Sequence, residues 1–366
     1  MKLNIQSVSP SVAFTLASAA MDADIPFFLH GSPGIGKSDL TEQLAKAKGM
    51  KCVVQMLTQM DATDLRGLQF VDEATKRTVN FIPEWLPTEN DPPTMIFLDE
   101  LPSAEPRLQV AAYQLLLARK IGSFVLHPKH YVCGAGNKVD DGAVVYDMGT
   151  ALASRLLHLS VVAEPRSWLD WAGKNGIHPS VMVFIQLKGH MLEQLQEQIK
   201  AQHMVGPNPR NWARVSTIGH KIGFQKRELA EPLVTGLIGE AASKDFFLTV
   251  EEMAGLPDPR IILDLDDAAF IKAIPTKLPN LWGMAFSILA YCTELKHFSK
   301  GTKFFRLMVE HGPKTLPLED VRKMGMEMLM AKADTNGMIT EFIKDKELMN
   351  YIKDSDRIIK IGSSTK

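Results

Sequence analysis

Several things are scarce in this chain, and each scarcity closes off a class of protein. Its 366 residues hold only 3 cysteines, Cys52, Cys133 and Cys292. They lie far apart and without CxxC or Cys/His spacing, which argues against a disulfide framework and a zinc site and fits a reducing cytoplasm. The 10 histidines form no HExxH and no i, i+4 pair, so they offer no metal-binding face. No apolar run is long enough to span a bilayer. The opening MKLNIQSVSPSVAFTLASAAMDAD faintly mimics a signal peptide, but Ser and Thr dilute its apolar part and it runs directly into a motif-bearing segment, so a helix is expected there. Charge of one sign is also missing: 41 Lys and Arg against 42 Asp and Glu leave a formal net charge of −1. Nothing global therefore advertises nucleic-acid binding, although a local basic lining inside an assembly would not register in that count. There is no internal repeat and no low-complexity tail.

What is present describes a multidomain globular chain. Apolar residues make up 45% and charged residues 23%, both ordinary for folded soluble proteins, and the length suits two or three domains. Apolar strands alternate with helices through the first 163 residues. IPFFLH (25–30), KCVVQML (51–57), TMIFLDEL (94–101), HYVCGAGN (130–137) and LLHLSVV (156–162) read as buried strands. Residues 11–21, 37–48 and 105–120 read as helices, the second with Leu40, Leu44 and Ala47 on one face and Gly49 as its stop. This alternation predicts an α/β fold, a parallel sheet covered by helices on both faces. Residues 58–93 break the rhythm with Gly, Pro, Asp and Thr around a hairpin-like LQFVDEATKRTVNFI and read as an excursion from the core; 118–130 holds a second small hairpin about Gly122. Beyond residue 163 the strand runs disappear. A helical block over 164–245 and a mainly helical region over 246–366 are expected. The methionine-rich MGMEMLM (324–330) reads as flexible core filling.

The chemistry concentrates at FFLHGSPGIGKSD. Gly31, Ser32, Pro33, Gly34, Ile35, Gly36, Lys37 and Ser38 satisfy G-x-x-x-x-G-K-[ST] between a buried strand and an amphipathic helix, the context the motif requires. Backbone N–H groups at such a turn and helix start, Asp39 included, cradle phosphates. Lys37 reaches the β and γ phosphates, and the Ser38 hydroxyl reaches Mg²⁺. A plain glycine-rich turn is the competing reading. TMIFLDEL ends an apolar strand in two acids, with Asp99 suited to hold Mg²⁺ beside Ser38 and Glu100 suited to polarise a water. Asn137, at the tip of the next buried strand, is suited to positioning that water and contacting the γ-phosphate.

The order GSPGIGKS, LDE, GAGN and then an arginine in LASRLLHL resembles an AAA+ ATPase. Further segments resemble its MoxR-type branch, which implies a bacterial or phage-encoded protein. DATDLRG (61–67) with FIPEWLP (81–87) is similar to that branch's second-helix insert; LPSAEPRLQVAAYQLLLARKIGSF to its following helix and hairpin; GNKVDDGAVVYDMGTALASRLLHL to its approach to an arginine finger; PNPRNW (207–212) to its lid. The resemblance spans roughly residues 8–245. It implies a core over 1–163, a helical lid over 164–245, and a region 246–366 of unassigned role. It also implies ATP and Mg²⁺ as ligands, Arg155 as a finger reaching the γ-phosphate on a neighbouring subunit, Arg210 as the lid arginine, and therefore a homo-oligomeric ring, a hexamer, that remodels a protein partner. That partner would carry a von Willebrand A-type domain. A nucleic-acid-dependent motor with the same core is the alternative. The chain departs from the family pattern in having Arg155-Leu156 where Arg-Phe is usual. Asp140, Asp141 and Asp147 read equally as solvated turns, Arg166 as structural, and Phe70 and Trp85 as hairpin or core packing, with Lys76 and Arg77 as weaker partner contacts.

Overall fold

The computed structural model describes residues 4–138 and 153–354; Asp140, Asp141 and Asp147 lie outside them. The chain divides into two compact units, one of residues 1–164, 193–204 and 208–210, the other of 165–192, 205–207 and 211–366.

The first unit is built on a six-stranded sheet. Its strands are β1 (Ser7–Val8), β2 (Phe27–His30), β3 (Lys51–Met56), β6 (Thr94–Asp99), β9 (Tyr131–Gly136) and β10 (Leu157–Val161). They lie in the order β1-β10-β2-β9-β6-β3, and all five pairings are parallel. This is the expected α/β fold with one strand more: β1, only two residues long, is too short to leave a periodic signal. A parallel sheet must be covered on both faces, which is why β6 and β9 are buried at every position. The alternation of side chains across the pleat assigns each strand residue to one of two cores. Phe27 and Leu29 of β2 join Met95, Phe97, Cys133 and Ala135 under helices α1 (Pro10–Asp22) and α2 (Lys37–Ala47), whose Ala13, Ala17, Leu40 and Leu44 face them. Phe28, Ile96, Leu98 and Val132 point the other way, into helix α4 (Pro106–Ala118) through Leu108, Ala111, Ala112 and Leu115. Phe27, Phe28 and Phe97 are fully buried, worth about 1.5–3 kcal/mol each in transfer terms.

The excursion at 58–93 is rooted in the second of these cores. Helix α3 (Ala62–Arg66) contributes Leu65, and Leu86 lies in the same cluster with Ile82 and Trp85 packed against it. The Trp85 indole N–H donates to the Asp64 carbonyl at 2.9 Å. From that root rises the hairpin of β4 (Leu68–Asp72) and β5 (Arg77–Phe81), antiparallel with Leu68 opposite Phe81 and Phe70 opposite Val79. Phe70 and Phe81 meet edge to face, centroids 4.7 Å apart, so Phe70 packs within the hairpin as expected. Leu68, Phe70, Val79 and Phe81 are nonetheless exposed. The second hairpin, β7 (Lys120–Ile121) with β8 (Phe124–Val125), turns at Gly122, whose φ of 57° favours glycine.

The second unit is all helix among the described residues. The helices expected as a lid and those expected as a separate C-terminal region pack together in it: Leu278–Tyr291 lies against Pro179–Leu187, and Leu318–Thr335 against both Leu295–His311 and Pro165–Lys174. The methionine run is core: Met324, Met326, Met328 and Met330 are all buried. Gly325 lets two helices close, since a Cβ there would come within 2.1 Å of the Phe305 ring. Arg166 pairs with Asp170 and Glu327, the structural role expected of it. The cysteines are free, and burial pushes the Cys52 thiol up to about 11 and the Cys292 thiol up to about 12.

Candidate nucleotide site

In a parallel sheet every strand ends at the same edge, so residues far apart in sequence converge there. Strand β2 runs into the glycine loop at Gly31. The loop turns through Gly34 (φ 80°) and Gly36 (φ 98°), and Gly36 is the residue from which α2 starts. Ile35, 5% exposed, plugs the loop into the core. A Cβ on Gly34 would stand 2.7 Å from Asn208 Oδ1, and the Arg210 backbone N–H donates to the Gly34 carbonyl at 3.1 Å. Residues 208–210 thus belong to the loop's own surroundings. Ser32 and Gly36 are half-buried, and Pro33 and Asp39 are exposed.

The loop's lysine is held from three sides. Lys37 Nζ donates to the Gly31 carbonyl at 2.6 Å, to the Ser32 carbonyl at 3.2 Å and to Asn137 Oδ1 at 3.0 Å. Beside it, Ser38 Oγ donates to Asp99 Oδ2 at 2.9 Å, and the other Asp99 oxygen accepts the Glu100 backbone N–H at 2.9 Å. Lys37 and Asp99 are both nearly buried, at 9% and 8% exposure. Glu100 itself sits in the left-handed region at φ 55°, a conformation a non-glycine residue adopts only where its surroundings impose it. Pro102 in the following turn contributes, packed so close to β9 that a Cβ on Gly136 would fall 2.3 Å from its ring. The structure therefore brings Lys37 and Ser38, at the start of α2, beside Asp99, Glu100 and Asn137 at the ends of β6 and β9.

It leaves Arg155 elsewhere. Leu157 is registered with Phe27, and its N–H donates to the Pro26 carbonyl. Arg155, exposed in the preceding turn, thus stands at the edge where β2 begins, opposite the one where β2 enters the glycine loop. Arg210 is also exposed, although its backbone touches the loop.

Thr58 escaped sequence reasoning. Its hydroxyl donates to Glu100 Oε2. The signal for it was topological: Met56 is registered with Asp99, so whatever follows β3 must neighbour whatever follows β6.

The donor set suits the ligands expected of it. A hydroxyl and one carboxylate are hard oxygens, appropriate to Mg²⁺, which keeps several waters and takes few protein ligands. Lys37 and the N–H groups of a helix start supply positive potential for phosphates. No group of three or more His, Cys, Asp or Glu able to cage a metal occurs among the described residues.

Residues 26–156 match the family model of the AAA domain, dynein-related subfamily. This segment is an AAA domain. The protein is accordingly an ATPase built on that P-loop core, with a helical C-terminal region. Among solved structures the chain is similar to NtrX from Brucella abortus in complex with ADP, with 11% identity over 88% of this chain and 70% of that one and a TM-score of 0.38. It is also similar to the RuvB Holliday junction branch migration motor of Thermotoga maritima, with 14% identity over 74% and 83% of the two chains and a TM-score of 0.36. No curated protein matches the chain. No helix among the described residues is long and apolar enough to cross a membrane.

Proposed function

We propose that the protein is a MoxR-like AAA+ ATPase that works as a ring, a hexamer, hydrolysing ATP between neighbouring subunits to remodel a protein partner. Lys37 and the N–H groups from Gly34 to Asp39 hold the phosphates. Ser38 and Asp99 hold Mg²⁺, which when bound neutralises charge on the phosphate oxygens. Glu100 orients and deprotonates the attacking water, with Asn137 and Thr58 fixing its surroundings. Arg155 supplies planar donors to the γ-phosphate from the next subunit, and Arg210 supplies a further cation.

One observation supports hydrolysis in trans above all: Arg155 lies across the sheet from its own Lys37. A partner that is protein is supported by the exposed apolar face Leu68, Phe70, Val79 and Phe81 of the insert hairpin and by the absence of excess positive charge. The resemblance to the MoxR-type branch extends this to a partner with a von Willebrand A-type domain.

The test mixes two inactive variants. Arg155→Ala is expected to bind nucleotide yet lose about 10³-fold in turnover, the lower range for a finger arginine, while Lys37→Ala loses binding. Mixed rings should recover activity, because a Lys37→Ala subunit still offers its Arg155 to an Arg155→Ala neighbour. No recovery in rings proven to be mixed would sink hydrolysis in trans. Strong stimulation of the wild-type protein by DNA or RNA, weakening with salt, would favour a nucleic-acid motor instead.

A further inference from the structure

Two histidines outside the proposed nucleotide-binding residues form a hydrogen-bonded line along one face of the sheet. His30 closes β2 immediately before the glycine loop, and His158 lies in the neighbouring β10. His30 Nε2 and His158 Nδ1 are 2.8 Å apart, and His158 Nε2 is 2.7 Å from the Ala153 carbonyl. The Phe28 ring packs against both, with centroids at 4.6 and 6.2 Å. The proton positions follow from the partners. A carbonyl only accepts, so His158 Nε2 carries a proton and donates to Ala153, and its Nδ1 shares the remaining hydrogen bond with His30 Nε2. Burial first, then the neighbouring His158, Lys138 and Lys37, disfavour a charged His30.

The line joins two places with separate tasks in the proposed reaction. One end abuts Gly31, whose carbonyl accepts from Lys37. The other holds the carbonyl of Ala153, two residues before Arg155. An exposed arginine on a turn has many rotamers and a mobile backbone, and an arginine aimed at a phosphate of another subunit gains from a turn fixed in advance. We propose that His158 is the positioning residue for Arg155, and that the His30–His158 relay ties the finger offered to a neighbour to the strand that carries the subunit's own P-loop. This rests on the reading of Arg155 as a finger acting in trans.

The experiment is a set of variants assayed for ATP turnover and nucleotide affinity in the full-length protein. His158→Ala should lose about tenfold in kcat with nucleotide affinity unchanged, the loss expected when one hydrogen bond worth about 1.4 kcal/mol no longer favours the productive turn. In an Arg155→Ala background the same change should cost nothing further, because the arginine it positions is gone. His158→Gln, which keeps a donor within reach of the Ala153 carbonyl, should recover most of the turnover; His158→Asn, which keeps only an acceptor for His30, should not. Equal losses from His158→Ala with and without Arg155, or equal behaviour of the Gln and Asn variants, would overturn the relay. If His158→Ala turns over ATP at the wild-type rate while Arg155→Ala is impaired, the relay alone fails. If Arg155→Ala itself is unimpaired, the finger reading fails and takes the relay with it.

Discussion

The two edges of the parallel sheet differ sharply. At the edge where β2, β6 and β9 end, the Lys37 ammonium reaches the Asn137 amide, the Ser38 hydroxyl reaches the Asp99 carboxylate, and the Glu100 carboxylate takes the Thr58 hydroxyl. At the edge where β10 begins, Arg155 sits exposed in its turn. The difference teaches that parallel pairing sorts residues by whether they follow or precede a strand. Groups that follow strands assemble into one site inside one chain. A group that precedes a strand is directed the other way, out of reach of that site in its own chain.

Three further experiments test this contrast. The largest effect is expected at the assembled edge: Glu100→Gln should keep nucleotide binding but lower turnover by about 10²–10⁴, the contribution of a positioned general base. Undiminished single-turnover hydrolysis would remove Glu100 from that role and leave the cluster without a base. Next is the closeness of the packing that creates the edge. Gly136→Ala would force a methyl against Pro102, costing about 3 kcal/mol of stability, at the upper end for overpacking. Chemical denaturation would show it, and a neutral result would mean that the turn holding Glu100 gives way easily. The smallest concerns acid. Burial, followed by the charges of His158, Lys138 and Lys37, lowers His30 to about 3 from an ordinary value of 6.5. Because the folded state resists protonation, its stabilising contribution is complete above pH 6.5 and falls as pH drops from there toward 3. From pH 6.5 to 5 the loss is about 2 kcal/mol. Urea midpoints at pH 7 and pH 5 should therefore differ less in His30→Gln than in the wild type, and identical acid declines would show that His30 takes up its proton easily.

The strands and the P-loop were legible because they obey local rules. A run such as TMIFLD can only be a buried strand, and GSPGIGKS between a strand and a helix leaves few alternatives. Asp99, Glu100 and Asn137 were legible from their places at strand ends. Thr58 was not, because its only marker is the register of β3 on β6. The pairing of His30 with His158 was not legible either: the two are 128 residues apart, and each alone resembles an ordinary core histidine. The helical unit shows the same limit on a larger scale. That the region beyond residue 163 is mainly helical was readable from the loss of strand runs, whereas the packing of Leu278–Tyr291 against Pro179–Leu187 in one body depends on side chains about a hundred positions apart, which no local pattern encodes.

By itself the sequence determined an alternating α/β core with a P-loop turn between a strand and a helix and two acids at the end of a later strand, because periodicity and glycine-rich spacing act over a few residues. Only the tertiary structure decided which strand lies beside which. That order set Glu100 against Thr58, linked His30 through His158 to the turn before Arg155, and placed Arg155 across the sheet from Lys37, since strand order is settled by the burial of both sheet faces at once and not by any single segment.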